Sequence, residues 1–215
     1  MKKTGRSRLI TLLCLVLMCV ILTSLFACSE EVSETDETSA FTGLPEYDVE
    51  KLDSYIKPFD YTGLDVTVGK NEKTPDKVWN TISDSAQIIA YPTLQVEYYA
   101  EQEKIKYKYY SAEYGIDYDE LLDSLGVTEE SIYEAAKSMV KDDLVLEYIV
   151  TDANITLSDA EKSEHLDKYA EKFVELYGYD KEYIKANMQD QLYSAMLYDK
   201  TVEFLILNNN VLKAE

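Results

Sequence analysis

Apolar residues in the second half of the chain follow a helical rhythm. Ile132, Ala135, Ala136, Met139, Val140 and Leu144 recur at steps of three and four, as one helix face does, and the step continues to Tyr148. Asn154 breaks it. Ser158 and Glu161 then have the spacing of a capping box, in which hydroxyl and carboxylate satisfy each other's free amides. A second helix is expected from there to Tyr177, stopping at Gly178. A third begins near Asp180, carries Ile184, Met188, Leu192, Ala195, Val202 and Ile206, and frays at Asn208–Asn210. Three long amphipathic helices joined by short turns need one another to bury their stripes. No residue in this run carries recognisable chemistry; its expected product is a surface.

Upstream, the period changes. Leu64, Val66 and Val68 alternate with polar residues between Gly63 and Gly69, which predicts a short strand within an extended segment near 61–68. Thr74-Pro75 offers a cap and a first-turn proline for a helix whose stripe is Val78, Trp79, Ile82 and Ala86. Trp79, the single tryptophan, falls within that stripe and is read as a core plug. Tyr91-Pro92 opens a helix of about 35 Å that ends at Gly115. Leu94, Tyr98, Ile105, Tyr109 and Ala112 fall on one side of it, and Val96, Tyr99, Tyr107, Tyr110 and Tyr114 on roughly the other. A surface helix needs only one such stripe. Either the helix is sandwiched between neighbours, or one face is open to a partner, for which tyrosine offers area and a hydrogen-bonding tip. The second set, Val96, Tyr99, Tyr107, Tyr110 and Tyr114, is the candidate peptide-binding face. Asp117–Leu125 forms a short helix closed by Gly126, and Thr128 caps the next.

The first residues read as an address rather than as fold. Lys2, Lys3, Arg6 and Arg8 precede an apolar run from Leu9 to Phe26. Leu25-Phe26-Ala27-Cys28 resembles the lipobox of bacterial lipoproteins, with Phe26 in place of the usual small residue. On that reading Cys28 becomes the lipidated first residue of a protein anchored on the extracytoplasmic face of a cell membrane. The alternative is an uncleaved membrane anchor, since the run is just long enough to span a bilayer. The expected boundaries are a signal peptide over 1–27, a disordered acidic tether over 28–50, an extended lead-in over 51–75 and a helical domain over 76–215.

Charge sharpens this picture. From Cys28 onward 17 basic residues face 41 acidic ones, a net charge of −24. Nucleic acid and anionic lipid headgroups repel such a chain, so no nucleic-acid partner is expected. Cys14, Cys19 and Cys28 are the only cysteines, which leaves the segment after 28 without a thiol for disulfide, catalysis or zinc. His165 sits among Ser163, Glu164 and Asp167 as a surface histidine, and pairs such as Asp142-Asp143 carry little information in so acidic a chain. No catalytic residue, metal or cofactor is expected.

Ile88-Ile89-Ala90-Tyr91-Pro92, the long acidic helix, the short helix ending at Gly126 and the run AAKSMVKDDLVLEYIVTDANITLSDAE together resemble the C-terminal domain of trigger factor, over about Val78 to Val211. The same pattern resembles the helical part of SurA-type and PrsA-type foldases. The resemblance implies an all-α fold whose arms cradle unfolded protein. It also implies an FKBP-like isomerase domain after the strand Tyr61–Val66, where only Gly69–Thr74 stands before the helices. The function expected is therefore non-catalytic holding of unfolded exported polypeptides by a membrane-anchored lipoprotein. The alternatives are an accessory lipoprotein with one dedicated partner and an isomerase-related foldase. A single stable partner would mark the accessory protein, and binding of many denatured proteins the holdase.

Overall fold

The computed structural model describes residues 46–177 and 180–214. The basic head, the apolar run, Cys28 and most of the acidic tether lie outside these residues. Eight α-helices and one two-stranded sheet occur among the described residues. The chain forms two compact units: Tyr91–Lys141 with Glu46 and Tyr47, and Asp48–Ala90 with the chain from Asp142 onward.

The second unit starts at Asp48, near the end of the segment expected as tether, and its first turns are helical. The Asp48 carboxylate accepts the Glu50 amide and caps a 3-10 turn, Val49–Lys51, that passes into α1 (Leu52–Tyr55). Strand β1 (Asp65–Val68) then buries Val66 and Val68 and exposes Asp65 and Thr67, the alternation its sequence predicts. Helix α2 (Thr74–Ser85) follows after the five-residue turn 69–73. Thr74 is its first helical residue rather than its cap; Lys73 takes the cap position without a side-chain bond, and Pro75 lies in the first turn. Trp79 is buried, its ring 5.0 Å from that of Tyr198. It packs in a core with Ile56, Val78, Ile82, Val145, Ile149 and Leu205. Burial of a large apolar side chain stabilises by about 1.5–3 kcal/mol, so this group holds the unit together.

Three further helices follow in this unit: α6 (Asp159–Tyr177), α7 (Lys181–Asn187) and α8 (Gln189–Leu207). The third predicted helix is therefore two. Met188, at φ −126°, interrupts it, and the Asp180 carboxylate caps the shorter piece. Ile184, Met188 and Leu192 stay buried across the break, so the interruption leaves the apolar face continuous.

The Asn208–Asn210 run does more than end a helix. The Asn209 side chain accepts the Leu64 amide at 2.8 Å and donates to the carbonyls of Tyr61, at 3.0 Å, and Leu205, at 2.7 Å. The Gly63 amide donates to the Asn208 carbonyl at 2.8 Å. This staple leads the chain into β2 (Asn210–Lys213), which pairs parallel to β1 with Val66 opposite Val211. Residues about 145 positions apart are thus joined, which no local pattern announces.

Helix α6 begins on the expected capping box. The Ser158 amide donates to Glu161 at 2.8 Å, and the Glu161 amide donates back to the Ser158 hydroxyl at 3.2 Å. Lys200 on α8 adds a bond of 2.5 Å to the same carboxylate and one of 2.7 Å to the Thr156 carbonyl. The Lys200 bond first, then those from Ser158, hold the Glu161 carboxyl down at about 2. A carboxyl depressed on folding stabilises above its unfolded value and loses that contribution as pH falls through its folded one. Lys200→Met should therefore lower the melting temperature at pH 7, and its deficit against wild type should narrow between about pH 4.5 and 2. A deficit constant across that range would show that the pair does not support the cap.

Helix α5 (Glu129–Asp152) belongs to both units, the first up to Lys141 and the second from Asp142. Thr128 caps it, as expected: its hydroxyl accepts the Ser131 amide at 3.1 Å, and the Ser131 hydroxyl accepts the Thr128 amide at 2.9 Å. Ile132, Ala136, Val140 and Leu144 form the buried stripe. Asn154, at φ +51°, ends it, with the Ile155 amide bonded to the Val150 carbonyl in a Schellman-type close. The first unit is completed by α3 (Thr93–Tyr114) and α4 (Tyr118–Leu125), the latter capped by Asp117 and closed by Gly126 in the left-handed region.

Candidate functional site

Helix α3 starts after Pro92, which lacks an amide to donate, and ends at Gly115, whose φ of +63° a side chain would strain. Both ends match the sequence reading. Its surfaces do not follow the two apolar stripes. Val96 is buried, Tyr99, Tyr107 and Tyr110 are half-buried, and Tyr114 is 66% exposed. On the other stripe Tyr98 is buried and Ile105 half-buried, while Leu94 is 59% and Tyr109 47% exposed and Ala112 is open. Burial thus falls along the helix as well as around it. Past the first turn, where Leu94 is open, both stripes of the first half are closed or half-closed; the last two turns are largely open.

The five residues of the candidate face do not form one continuous patch of equal exposure. Tyr110 and Tyr114 are ring neighbours, with centroids 6.4 Å apart, and Tyr109 adds its ring 5.9 Å from Tyr110. Tyr107 lies one turn back, under the Lys106 ammonium at 4.9 Å. Tyr99 pairs with Tyr98 at 5.4 Å near the buried end, and Val96 belongs to the interior. The accessible part is the aromatic cluster from Tyr107 to Tyr114.

A polar row inside the helix escaped the sequence reading. Gln95, Gln102, Glu103 and Lys106 are all buried, Glu103 only 3% and Lys106 only 4% exposed. Gln95 donates to the Glu46 carbonyl at 3.0 Å. Lys106 pairs with Glu103 within the helix, and the other Glu103 oxygen, Oε1, has no hydrogen-bond partner. Gln95, Gln102 and Lys106 stand at i, i+7 and i+11, which is one helix face; that spacing was the available signal. Burial first, then the Glu103 charge, raises the Tyr107 phenol above its ordinary value; burial also raises that of Tyr118, whose hydroxyl is buried without a partner. Both phenols therefore stay protonated and available as donors across the physiological range.

Lys104 anchors α3 to the start of α5, pairing with Glu129 at 2.8 Å and standing 5.3 Å from the Tyr133 ring centre. The result is a rigid stem and an open aromatic end, with no assembly of nucleophile, base and oxyanion donors along it. Such an arrangement offers apolar area and phenol hydrogen bonds.

The class of this helical domain comes from comparison with known families. Residues 70–207 match the model of the bacterial trigger factor protein C-terminus, and the chain belongs to that family. The family is chaperone-type rather than catalytic, so the role of the matched domain is chaperone-like, with polypeptides as its partners. No curated protein and no solved structure matches the chain significantly.

Proposed function

We propose that this protein is a membrane-tethered holdase that binds exposed apolar stretches of exported polypeptides outside the cytoplasm. The observation that carries the reading is the open aromatic end of α3, Tyr107 to Tyr114, in a chain of a chaperone-type family. Unfolded chains expose apolar residues beside unpaired backbone groups. Tyrosine rings meet the first by area, and their hydroxyls meet the second as donors and acceptors. Reversible contacts of this kind hold a client without altering it. Suppression of aggregation of a denatured client at near-equal molar amounts, without nucleotide, is the test; binding confined to one native protein would favour an accessory role.

The tether rests on Leu25-Phe26-Ala27-Cys28 behind a basic head and an apolar run. Cys28→Ala should abolish incorporation of labelled fatty acid and block normal processing of the precursor. Persistent labelling of the alanine variant would remove Cys28 as the acceptor. The reading also assigns no isomerase step, because only the turn 69–73 stands between β1 and α2. Turnover of a proline peptide well above its uncatalysed rate, which takes tens of seconds or longer per event, would contradict that assignment.

A further inference from the structure

Far from α3 in sequence, the second unit carries an open depression lined by Pro58, Phe59, Asp60, Tyr61, Thr62, Tyr148 and Asp152, with a volume of about 410 Å³. Its walls are aromatic. The Phe59 and Tyr148 ring centres are 5.1 Å apart, those of Phe59 and Tyr61 6.0 Å, and those of Tyr61 and Tyr148 6.3 Å, the last pair edge-on. Tyr61 packs in turn on Phe204, at 6.4 Å. All four rings are half-buried, so part of each remains at the surface.

The rim is acidic. Asp152 holds the Tyr61 hydroxyl at 2.5 Å, which fixes that ring, and Asp60 stands exposed beside it. Burial first and the Asp152 charge next raise the Tyr148 phenol above its ordinary value; a backbone hydrogen bond from Phe59 opposes them, and the Asp53 and Asp60 charges add smaller rises. Tyr148 therefore keeps its proton and its neutral, electron-rich face. Among the described residues no lysine makes an ion pair with Asp53, Asp60 or Asp152. Lys57, the nearest cation in sequence, instead donates to Gln87 at 3.0 Å.

Three half-exposed rings beside a concavity, with carboxylates on the rim that no lysine among the described residues pairs with, are complementary to an organic cation. The ring faces offer negative quadrupole density to the charge, and the carboxylates offer acceptors to its N–H groups. An apolar side chain would gain the rings but would leave the acidic rim uncompensated.

We propose that this depression seats a lysine side chain of a bound polypeptide, laid against the exposed parts of the packed Phe59, Tyr61 and Tyr148 rings and beside the Asp60 and Asp152 carboxylates. It rests on the reading of the protein as a binder of unfolded chains, and adds to the aromatic end of α3 a second anchor of different chemistry. Apolar stretches are held at α3, and cationic residues are held here.

The test uses the full chain in detergent micelles, with labelled phenylalanine and tyrosine rings followed by NMR. The titrants are a capped peptide, Gly-Ser-Lys-Ser-Gly, and its norleucine counterpart, which keeps the aliphatic stem without the charge. The Phe59 and Tyr148 resonances are expected to shift saturably with the lysine peptide and to stay in place with the norleucine peptide. Asp60→Asn with Asp152→Asn preserves shape and leaves Tyr61 an acceptor; it should raise the midpoint about fivefold or more and flatten its salt dependence. Equal shifts with both peptides, no shift at these rings with either, or a double variant with an unchanged midpoint would each overturn the site. Neither peptide carries an apolar stretch long enough for α3, so a negative result here leaves the holdase reading to its own aggregation assay.

Discussion

Lys106→Met should destabilise the first unit by about 3–5 kcal/mol, although it replaces a charge by an apolar chain of similar length on a helix. The reason is what it leaves behind. Glu103 is 3% exposed, has Lys106 as its ion-pair partner, and already carries one oxygen without a hydrogen bond. Removing the ammonium strands a carboxylate out of water without its ion-pair partner. Replacing both members, Glu103→Leu with Lys106→Met, removes the desolvated charge altogether and should be neutral or stabilising by about 1–4 kcal/mol. Hydrogen exchange of the α3 amides reads this locally, without assuming that the two units unfold together. Protection lost in the single variant and restored in the double is the expected pattern. Equal protection in wild type and Lys106→Met would show that the pair is hydrated.

Converting Tyr107, Tyr110 and Tyr114 to serine should have the opposite profile: a large loss of client binding with a modest loss of stability. Fully buried aromatic side chains cost about 3–5 kcal/mol each when truncated, and three such losses would exhaust the ~5–15 kcal/mol a domain has. These rings are not of that kind. Tyr114 is 66% exposed, and Tyr107 and Tyr110 are half-buried, so the α3 melting signal should move by far less than that sum. Client suppression should fall several-fold, because a few aromatic anchors carry most of the energy of such surfaces. Replacement of the same three by phenylalanine keeps the area and should retain most of the activity, losing the share contributed by the hydroxyls. Collapse of the fold in the serine variant would assign these rings to the core and remove them from the binding face.

Much of the architecture was legible because it is local. The stripe Ile132, Ala136, Val140, Leu144 follows from a period of 3.6, the caps at Thr128 and Ser158 follow from side chains within three residues of the amides they serve, and the stop follows from the left-handed backbone that Asn154 tolerates. What escaped has a physical reason in each case. The break at Met188 was masked because Ile184, Met188 and Leu192 keep a four-residue step through it, and all three remain buried. Strand β2 and the Asn209 staple depend on Leu64, Tyr61 and β1, about 145 residues away, so three consecutive asparagines looked only like a frayed end. On α3 the apolar residues suggested two stripes, whereas the polar residues Gln95, Gln102, Glu103 and Lys106 take the buried face. A helix whose interior row is polar hides its orientation from any reading based on hydrophobicity. The gradient from closed stem to open end is likewise invisible in periodicity, because it runs along the axis. The depression at Phe59, Tyr61 and Tyr148 needs two segments some 90 residues apart to meet, as the Tyr61–Asp152 bond shows.

The central claim is that this chain holds unfolded polypeptides, and light scattering by a chemically denatured client diluted into buffer tests it most directly. The full chain in micelles should suppress scattering in proportion to its amount, approaching completion near one chain per client, with no nucleotide present and across clients unrelated in sequence. Micelles alone, and the triple serine variant, supply the baseline. Scattering that stays at that baseline with a several-fold molar excess of the wild-type chain, for every client tried, would contradict the account.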